Sequence, residues 1–256
     1  MSPLVGYEPL GRTAILTLNR PEARNAVNAE LARDMETALD RFEADPEAWT
    51  GVLCGAGPAF SAGADLKALA AGEGGGLSTE RGGFAGLARR ERTKPLIAAV
   101  DGPALAGGCE IVLACDLVVA SEAASFGLPE VKRSLIAGAG GLFRLPRALP
   151  PVVAMEVALT GEPLSAERAF GLGLVNQLVP KGSARDAALA LADRINANAP
   201  LAVLQSRRVM QAALGSGDEE LWRLTQEALG TVVGTEDFAE GPRAFVEKRP
   251  PVWKGR

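Results

Sequence analysis

Five short, almost uninterrupted apolar segments limit most strongly what this 256-residue chain can fold into. A strand with one face in water alternates apolar and polar residues, whereas a strand buried on both faces is a continuous apolar run rich in Val, Ile and Leu. These runs therefore predict short strands covered on both faces, in an α/β architecture. The segments are AILTL (14–18), GVLC (51–54), LIAAV (96–100), LVVA (117–120) and VNQLV (175–179).

Helical periodicity fills the intervals between these strands. Residues 28–42 carry apolar side chains every three or four positions, and Asn28 suits the N-cap. From about residue 199 the strand signal stops and helical patterns follow one another. We therefore predict two domains, a core of residues 1–198 that holds the ligand site and a helical region of residues 199–256.

The chain contains no histidine. This excludes Ser-His-Asp and Cys-His nucleophile systems, histidine general bases and histidine-ligated metals. Cys54, Cys109 and Cys115 fit no zinc-binding spacing and lie in apolar surroundings, so we expect reduced thiols and no metal site. Acid–base chemistry must come from Asp, Glu, Lys, Tyr or Cys.

Charge and hydropathy indicate which partners to expect. The net charge is −4, from 27 basic and 31 acidic residues without a basic cluster, so no nucleic-acid partner is expected. No apolar stretch reaches the roughly 18 residues of a membrane span, and the first residues lack a secretory pattern. We expect a cytoplasmic protein without a membrane partner.

The segment CGAGPAFSAGADLKAL (54–69) follows a predicted strand. Its G-x-G start lacks the third glycine and the later acidic residue of a dinucleotide site. Residues 63–67 indicate a turn entering a helix, whose free N–H groups could receive an oxyanion, although a plain turn fits the spacing as well. Residues 72–86, with seven glycines, predict an irregular surface loop, which could also be a lid over a pocket.

Two further segments each place a carboxylate among apolar residues. Glu110 falls in the first turn of a helix predicted to begin at Gly107, where the helix dipole favours the charged form and apolar neighbours oppose it. Glu130 follows 20 residues later, across one strand, so both could meet at one end of a sheet. Gly138 opens another helix start. The pair suits proton transfer without histidine, while a surface or structural role is the alternative.

Taken in order, these segments resemble the crotonase superfamily, the enoyl-CoA hydratase/isomerase family. The resemblance runs nearly end to end, and it is the ordered set rather than any single segment that is specific. The similar segments are LNRPEARNAVN (18–28), FSAGADLKAL (60–69), KPLIAAVDGPALAGGCEIVLACD (94–116), FGLPEV (126–131), AGAGG (137–141), LTGEPLSAERAFGLGLVNQLVP (159–180) and EGPRAFVEKRPPVWKGR (240–256).

The resemblance implies an α/β spiral of ββα units for the core and a C-terminal helical region that forms homotrimers, which can stack into hexamers. It implies an acyl-CoA thioester as the substrate and no cofactor beyond the coenzyme A of that substrate. Backbone N–H groups at Ala64 and Gly107 would hold the thioester oxygen as an oxyanion hole. Glu110 and Glu130 would flank a water that Gly138 helps to place.

The implied activity is reversible syn hydration of a 2-enoyl-CoA, since both glutamates are present. Alternatives are a Δ3,Δ2-enoyl-CoA isomerase, which needs one carboxylate, a carnitinyl-CoA dehydratase-like enzyme, and a non-catalytic acyl-CoA-binding subunit. The resemblance also implies a set of coenzyme A and substrate contacts, of which the last two would come from a neighbouring subunit: Ala23, Arg24, Ala62, Ala64, Asp65, Leu66, Lys67, Gly107, Phe245 and Lys248.

The chain departs from the common family pattern at three positions near the site. Leu128 stands where a polar residue is frequent, Ala137 where proline is usual, and Ala106 where a glycine often begins a triple. These changes leave the expected oxyanion donors in place and bear on the acyl group that the site accepts.

Overall fold

The structure, a computed structural model, describes residues 3–256. Its strands are β1 (Val5–Leu10), β2 (Thr13–Leu18), β3 (Thr50–Gly55), β4 (Ser78–Thr79), β5 (Gly83–Phe84), β6 (Leu96–Val100), β7 (Pro103–Leu105), β8 (Leu117–Ser121), β9 (Ser125–Gly127), β10 (Leu164–Ser165) and β11 (Gln177–Val179). Its helices are α1 (Ala29–Ala44), α2 (Leu66–Ala70), α3 (Gly107–Leu113), α4 (Gly141–Ala148), α5 (Pro151–Thr160), α6 (Ala166–Gly171), α7 (Ala184–Asn196), α8 (Pro200–Ala212), α9 (Asp218–Val233) and α10 (Glu236–Glu247).

Two sheets share the core. The larger has the order β1-β2-β3-β6-β8-β11 and is parallel except for the β1–β2 pair, and the smaller has the order β10-β9-β7. The pairs β6–β7 and β8–β9 each give one strand to each sheet before the chain enters helical structure. This winding confirms the predicted spiral of strand–strand–helix units.

The larger sheet is covered on both faces, as the continuous apolar runs predicted. Ile15, Val52 and Ile97 face a cluster that includes Ala188 and Ala192 of α7. Their neighbours along the strands, such as Leu16, Leu53 and Ala98, face the main core. Because adjacent residues of a strand point to opposite faces, burial of both sets requires the uninterrupted apolar sequence.

Helix α1 begins where the capping pattern predicted. The Asn28 side chain accepts a hydrogen bond from the Leu31 N–H at 2.9 Å. The last strand is shorter than predicted, beginning at Gln177. Before it, the Asn176 side chain accepts a hydrogen bond from the Val118 N–H at 2.8 Å and takes the place of a backbone partner.

The prediction of an irregular loop at residues 72–86 is wrong. This segment forms a 3₁₀ turn at Gly74–Leu77 and the β4–β5 hairpin. It is docked on α1, where Glu36 accepts hydrogen bonds from the Thr79 hydroxyl at 2.8 Å and the Gly82 N–H at 3.1 Å. A Cβ on Gly86 would lie 2.4 Å from the Ala32 carbonyl oxygen. Several glycines therefore serve close packing rather than mobility.

From Pro200 the chain is helical through α8, α9 and α10. The buried Asp237 carboxylate accepts hydrogen bonds from the N–H groups of Lys254 at 2.7 Å and Gly255 at 2.9 Å, which fastens the last residues to α10. The domain boundary at 198/199 stays a prediction. Between residues 3 and 256, no helix has both the length and the apolar character needed to cross a membrane.

Candidate active site

A cavity of about 1500 Å³ lies between α2, the β4–β5 hairpin, α3 and residues 129–144. Every residue predicted for the site lines it except Phe245 and Lys248. The predicted residues that the fold brings together here are Ala23, Arg24, Ala62, Ala64, Asp65, Leu66, Lys67, Gly107, Glu110, Glu130 and Gly138.

Glu110 lies in the first turn of α3 and is only 3% exposed. Its Oε1 accepts two backbone hydrogen bonds, from the Ala139 N–H at 2.7 Å and the Gly141 N–H at 2.8 Å. Burial raises the pKa of Glu110, while these two hydrogen bonds and the Arg144 charge oppose the rise. The carboxylate is thus held rigidly with its proton affinity above the ordinary value.

Glu130 lies in a 3₁₀ helix, Pro129–Arg133, and is half-buried. Its Oε2 is buried and has no hydrogen-bond partner among residues 3–256. Burial raises the pKa of Glu130, and the negative charge of Glu110 raises it further. A hydrogen bond from its own backbone N–H opposes this rise. The charge of Glu110 therefore acts on Glu130, and one oxygen of Glu130 is left without a partner.

Two backbone N–H groups meet at the start of α3. A Cβ on Gly63 would lie 2.6 Å from the Gly107 nitrogen, so the chain before Ala64 touches the first residue of the helix. On either side of Ala64, the Val27 N–H donates to the Gly63 carbonyl and the Asp65 N–H donates to the Val27 carbonyl. The Leu105 N–H also donates to the Ser61 carbonyl, and these bonds hold the two segments together. Within residues 3–256 neither the Ala64 nor the Gly107 N–H has an acceptor, and both residues line the cavity.

Ala106 precedes this pair in a conformation that favours glycine. Its φ is 52° and its ψ is −128°, although it carries a Cβ. Such residues cost on the order of 1–3 kcal/mol and persist where the surrounding structure imposes them. Here the conformation turns the chain from β7 into α3 and sets the direction of the Gly107 N–H.

We expect Ala106→Gly to raise the free energy of unfolding by about 1 kcal/mol, because glycine adopts this conformation without strain. Urea unfolding of both proteins measures the difference. Ala123→Gly is the control, because Ala123 is exposed and its φ is not positive. That variant should be neutral or less stable. A loss of stability in Ala106→Gly would contradict the strain argument.

Arg144 belongs to the site, although the sequence analysis did not select it. Its Nη1 donates to the Ala139 carbonyl at 3.1 Å and its Nη2 to the Ala88 carbonyl at 2.7 Å. Ala139 in turn holds Glu110, so the guanidinium braces the loop that positions this carboxylate. Arg144 follows Gly141 by three residues, so it lies on the same face of α4 as the residue that donates to Glu110. This spacing is the sequence feature that could have identified it.

Phe84 is the second residue that sequence reasoning missed. A Cβ on Gly107 would lie 2.4 Å from two atoms of the Phe84 ring, so the ring rests on the start of α3. The β4–β5 hairpin is therefore part of the cavity wall. Its glycine-rich sequence hid this role, because nothing in the local pattern links residue 84 to residue 107.

Asp65 lines the cavity but already has protein partners. Its Oδ1 accepts a hydrogen bond from the Lys67 N–H at 2.9 Å and caps α2, and its Oδ2 lies 2.7 Å from Arg20 Nη1. The hydrogen bond from Arg20 is the main cause that lowers the pKa of Asp65. Asp65 thus shapes the wall. Arg24 and Lys67, which line the cavity close to it in sequence, are among the cavity cations that have no carboxylate within 4.0 Å in residues 3–256.

Of the three departures from the family pattern, Ala106 and Leu128 lie close to Glu110, and the Ala106 carbonyl accepts a hydrogen bond from the Glu110 N–H at 3.2 Å. Leu128 is 1% exposed and packs at Gly141, next to the Glu110 side chain. Ala137 is buried, whereas Gly138 is open, since a Cβ there would meet only the Ile136 oxygen, at 4.0 Å. Leu128 thus adds an apolar side chain beside Glu110, and space is retained at Gly138.

Phe245 and Lys248 lie at the end of α10, away from the cavity lining of their own chain. Phe245 is 85% exposed. The expectation that they reach the site of a neighbouring subunit stays a prediction.

Comparisons with known proteins match nearly the whole chain. The family model described as Enoyl-CoA hydratase/isomerase matches residues 11–256. A carnitinyl-CoA dehydratase from Salmonella agona (strain SL483) is 42% identical over 247 residues, which are 94% of each chain. An enoyl-CoA hydratase from Mycobacterium tuberculosis H37Rv superposes with a TM-score of 0.95 at 47% identity, and a carnitinyl-CoA hydratase from Mycobacterium avium with 0.79 at 48%. Both structural matches cover 100% of each chain.

Proposed function

The chain belongs to the enoyl-CoA hydratase/isomerase family, and we propose that it hydrates a 2-enoyl-CoA thioester reversibly by syn addition. The observation that carries this proposal is the meeting of two carboxylates with raised pKa and two unpaired N–H groups in one cavity. Such a site supplies a base, an acid and an electrostatic acceptor for enolate charge without histidine or metal.

The environments of the two carboxylates suggest their roles. Glu110 accepts two backbone hydrogen bonds that favour its anion, so it takes a proton from water as the water oxygen bonds to C3. The electron pair of the C2=C3 bond moves to the thioester oxygen, which the N–H groups of Ala64 and Gly107 hold. When the carbonyl reforms, C2 takes a proton from Glu130, whose surroundings favour the protonated form.

The proposed reaction adds one water and uses no redox step, so the coenzyme A of the substrate is the only cofactor portion it needs. Arg24 and Lys67 lie in the wall near Ala64 and would face the anionic part of coenzyme A. The same machinery run in reverse removes water from a 3-hydroxyacyl-CoA, as the name of the Salmonella relative describes for carnitinyl-CoA.

The isomerase alternative needs one proton-shuttling carboxylate. Burying a carboxylate oxygen that has no hydrogen-bond partner costs stability, and a chain that needed only Glu110 would gain from a smaller or apolar residue at position 130. The unpartnered Oε2 of Glu130 therefore favours hydration over isomerisation and over passive acyl-CoA binding.

A homotrimer, alone or stacked as a hexamer, completes the proposal. Large apolar side chains are exposed on the C-terminal helices, where an isolated protomer would be left with apolar surface in water. They include Trp222, Leu229, Val233, Phe238, Phe245 and Val246. Sedimentation equilibrium measures the assembly directly.

Loss of the enoyl thioester absorbance with crotonyl-CoA and longer 2-enoyl-CoA esters tests the function. We expect hydration by the wild-type protein and a fall in kcat of at least about 100-fold in Glu130→Gln. A Glu130→Gln variant that hydrates at the wild-type rate would exclude the two-carboxylate reaction. Isomerisation of a 3-enoyl-CoA that survives this substitution would favour the alternative.

A further inference from the structure

Arg144 is a half-buried cation with no carboxylate within 4.0 Å among residues 3–256. Burial lowers the pKa of its guanidinium, and the largest influence that opposes this fall is the negative charge of Glu110. An arginine that loses hydration without forming an ion pair costs stability, so its retention calls for a group that benefits from the charge. The surroundings of Arg144 single out Glu110 as that group.

The two hydrogen bonds of this guanidinium join two separate segments of the cavity wall. Nη1 donates to the Ala139 carbonyl at 3.1 Å, in the loop whose N–H groups hold Glu110. Nη2 donates to the Ala88 carbonyl at 2.7 Å, and the Ala88 N–H in turn donates to the Phe84 carbonyl at 3.0 Å. Arg144 thus ties the residues that follow β5 to the loop beside the carboxylate.

The loop itself leaves room for this guanidinium. Gly140 has φ +106°, and a Cβ there would lie 2.4 Å from Arg144 Nη1, so a side chain at residue 140 would displace the charge. The Gly140 carbonyl accepts a hydrogen bond from the Arg144 N–H at 2.9 Å, which fixes the residue in the first turn of α4. The backbone therefore determines where the charge lies.

Other titratable groups surround the pair of Glu110 and Arg144, and they lie on several elements. They are Arg92, Cys109, Cys115, Glu130 and Arg147. Both thiols are neutral at neutral pH, because burial raises the pKa of each to about 12. Burial likewise raises the pKa of Glu110, two backbone hydrogen bonds oppose the rise, and the Arg144 charge opposes it as well.

We propose that Arg144 is a positioning residue of the reaction: its two carbonyl hydrogen bonds fix the loop that holds Glu110, and its charge keeps that carboxylate anionic until it accepts a proton. The inference rests on the proposed function, in which Glu110 takes a proton from water. Arg144 contributes no reacting atom and acts through Glu110 and Ala139.

The test measures the proton affinity of Glu110 without a substrate. Infrared difference titration of the full-length protein follows the protonated carboxyl band of Glu110, which is assigned by its absence in Glu110→Gln. We expect Arg144→Gln to raise the pKa of Glu110, because it removes a charge that opposes the rise. Arg144→Lys retains the charge and should leave this pKa near its wild-type position.

An Arg144→Gln variant with an unchanged or lower pKa of Glu110 would overturn the proposal. The same upward shift in Arg144→Lys would overturn it too, because the charge would then not be responsible. If Arg144→Gln does not fold, Arg144→Met removes the same charge and keeps an apolar stem in its place.

Arg147→Gln is the matched control. It removes an exposed guanidinium three residues further along α4 that is bonded to neither carbonyl. This variant should leave the pKa of Glu110 unchanged, and a shift equal to that of Arg144→Gln would refute the assignment.

Kinetics add a second readout. With crotonyl-CoA, Arg144→Gln should lower kcat by about tenfold or more and move the low-pH limb of kcat/KM to higher pH, whereas Arg147→Gln should change neither. A wild-type protein that does not hydrate enoyl-CoA esters would contradict the proposed function. The infrared titration needs no substrate, so it decides the role of Arg144 in either case.

Discussion

Glu110→Gln is expected to lower kcat for hydration by about 10²–10⁴-fold while leaving KM nearly unchanged. The amide oxygen of Gln can still accept the two hydrogen bonds from Ala139 and Gly141, so the loop geometry survives. What is lost is the ability to take a proton from water. Steady-state kinetics with the best 2-enoyl-CoA ester measure the change.

For the same variant we expect Tm at neutral pH to be unchanged or higher. The pKa of Glu110 is raised in the folded protein, so the folded state binds its proton more readily than the unfolded chain does. Stability from this group is therefore present at low pH and lost as pH rises through the raised pKa. Removing the buried charge should leave Tm at neutral pH equal or higher, and this difference should vanish in acid.

The wild-type pH profile is the matching control. If the Glu110 carboxylate acts as the base, kcat/KM falls as pH drops through the pKa of Glu110, which burial raises above its ordinary value. A Glu110→Gln variant with lower Tm and unchanged kcat would show a structural carboxylate and end the catalytic assignment.

Gly63→Ala is expected to lower kcat by about 10²–10³-fold, the usual cost of losing an oxyanion donor. Gly63 has φ +84°, and an added Cβ would lie 2.6 Å from the Gly107 nitrogen and 2.9 Å from the Leu105 oxygen. Both are backbone atoms that cannot turn aside. The N–H groups of Ala64 and Gly107 must therefore separate. Steady-state kinetics of hydration measure the fall in kcat.

Gly171→Ala is the matched control for this variant. Gly171 ends α6, its φ is not positive, and a Cβ there would meet nothing within 4 Å. It should retain wild-type kcat, with stability unchanged or slightly increased. If Gly63→Ala lowers the stability, its affinity for a saturated acyl-CoA is measured at low temperature, where the protein is folded. Binding without hydration would then show that the fold survives and the oxyanion site is lost. A folded Gly63→Ala enzyme with wild-type kcat would disprove that the N–H groups of Ala64 and Gly107 form an oxyanion hole.

Local pattern determined much of the architecture. The runs at 14–18, 51–54, 96–100 and 117–120 are strands because only two-sided burial tolerates uninterrupted apolar residues. The Asn28 cap is equally local, since the cap and its N–H partner are three residues apart. The family resemblance of the ordered motifs extended this to the spiral of units and to the residues that line the cavity.

Tertiary structure decided what depends on distant partners. Strands β7, β9 and β10 are two or three residues long, too short for any periodicity, and form because the spiral lays them side by side. The glycine-rich segment at 72–86 is ordered by Glu36, which precedes its partners Thr79 and Gly82 by 43 and 46 residues. Composition alone predicts a flexible segment here, because the hydrogen bonds that order it come from a distant helix.

The same distinction between local sequence and tertiary structure applies to the active site. The sequence by itself determined that no histidine takes part in acid–base chemistry, and that Glu110 sits at the head of an apolar helix. Only the fold decided that Arg144 braces this carboxylate through Ala139 and that Phe84 rests on Gly107. Proton affinity and access depend on neighbours in space, which packing brings together from segments that are remote in the chain.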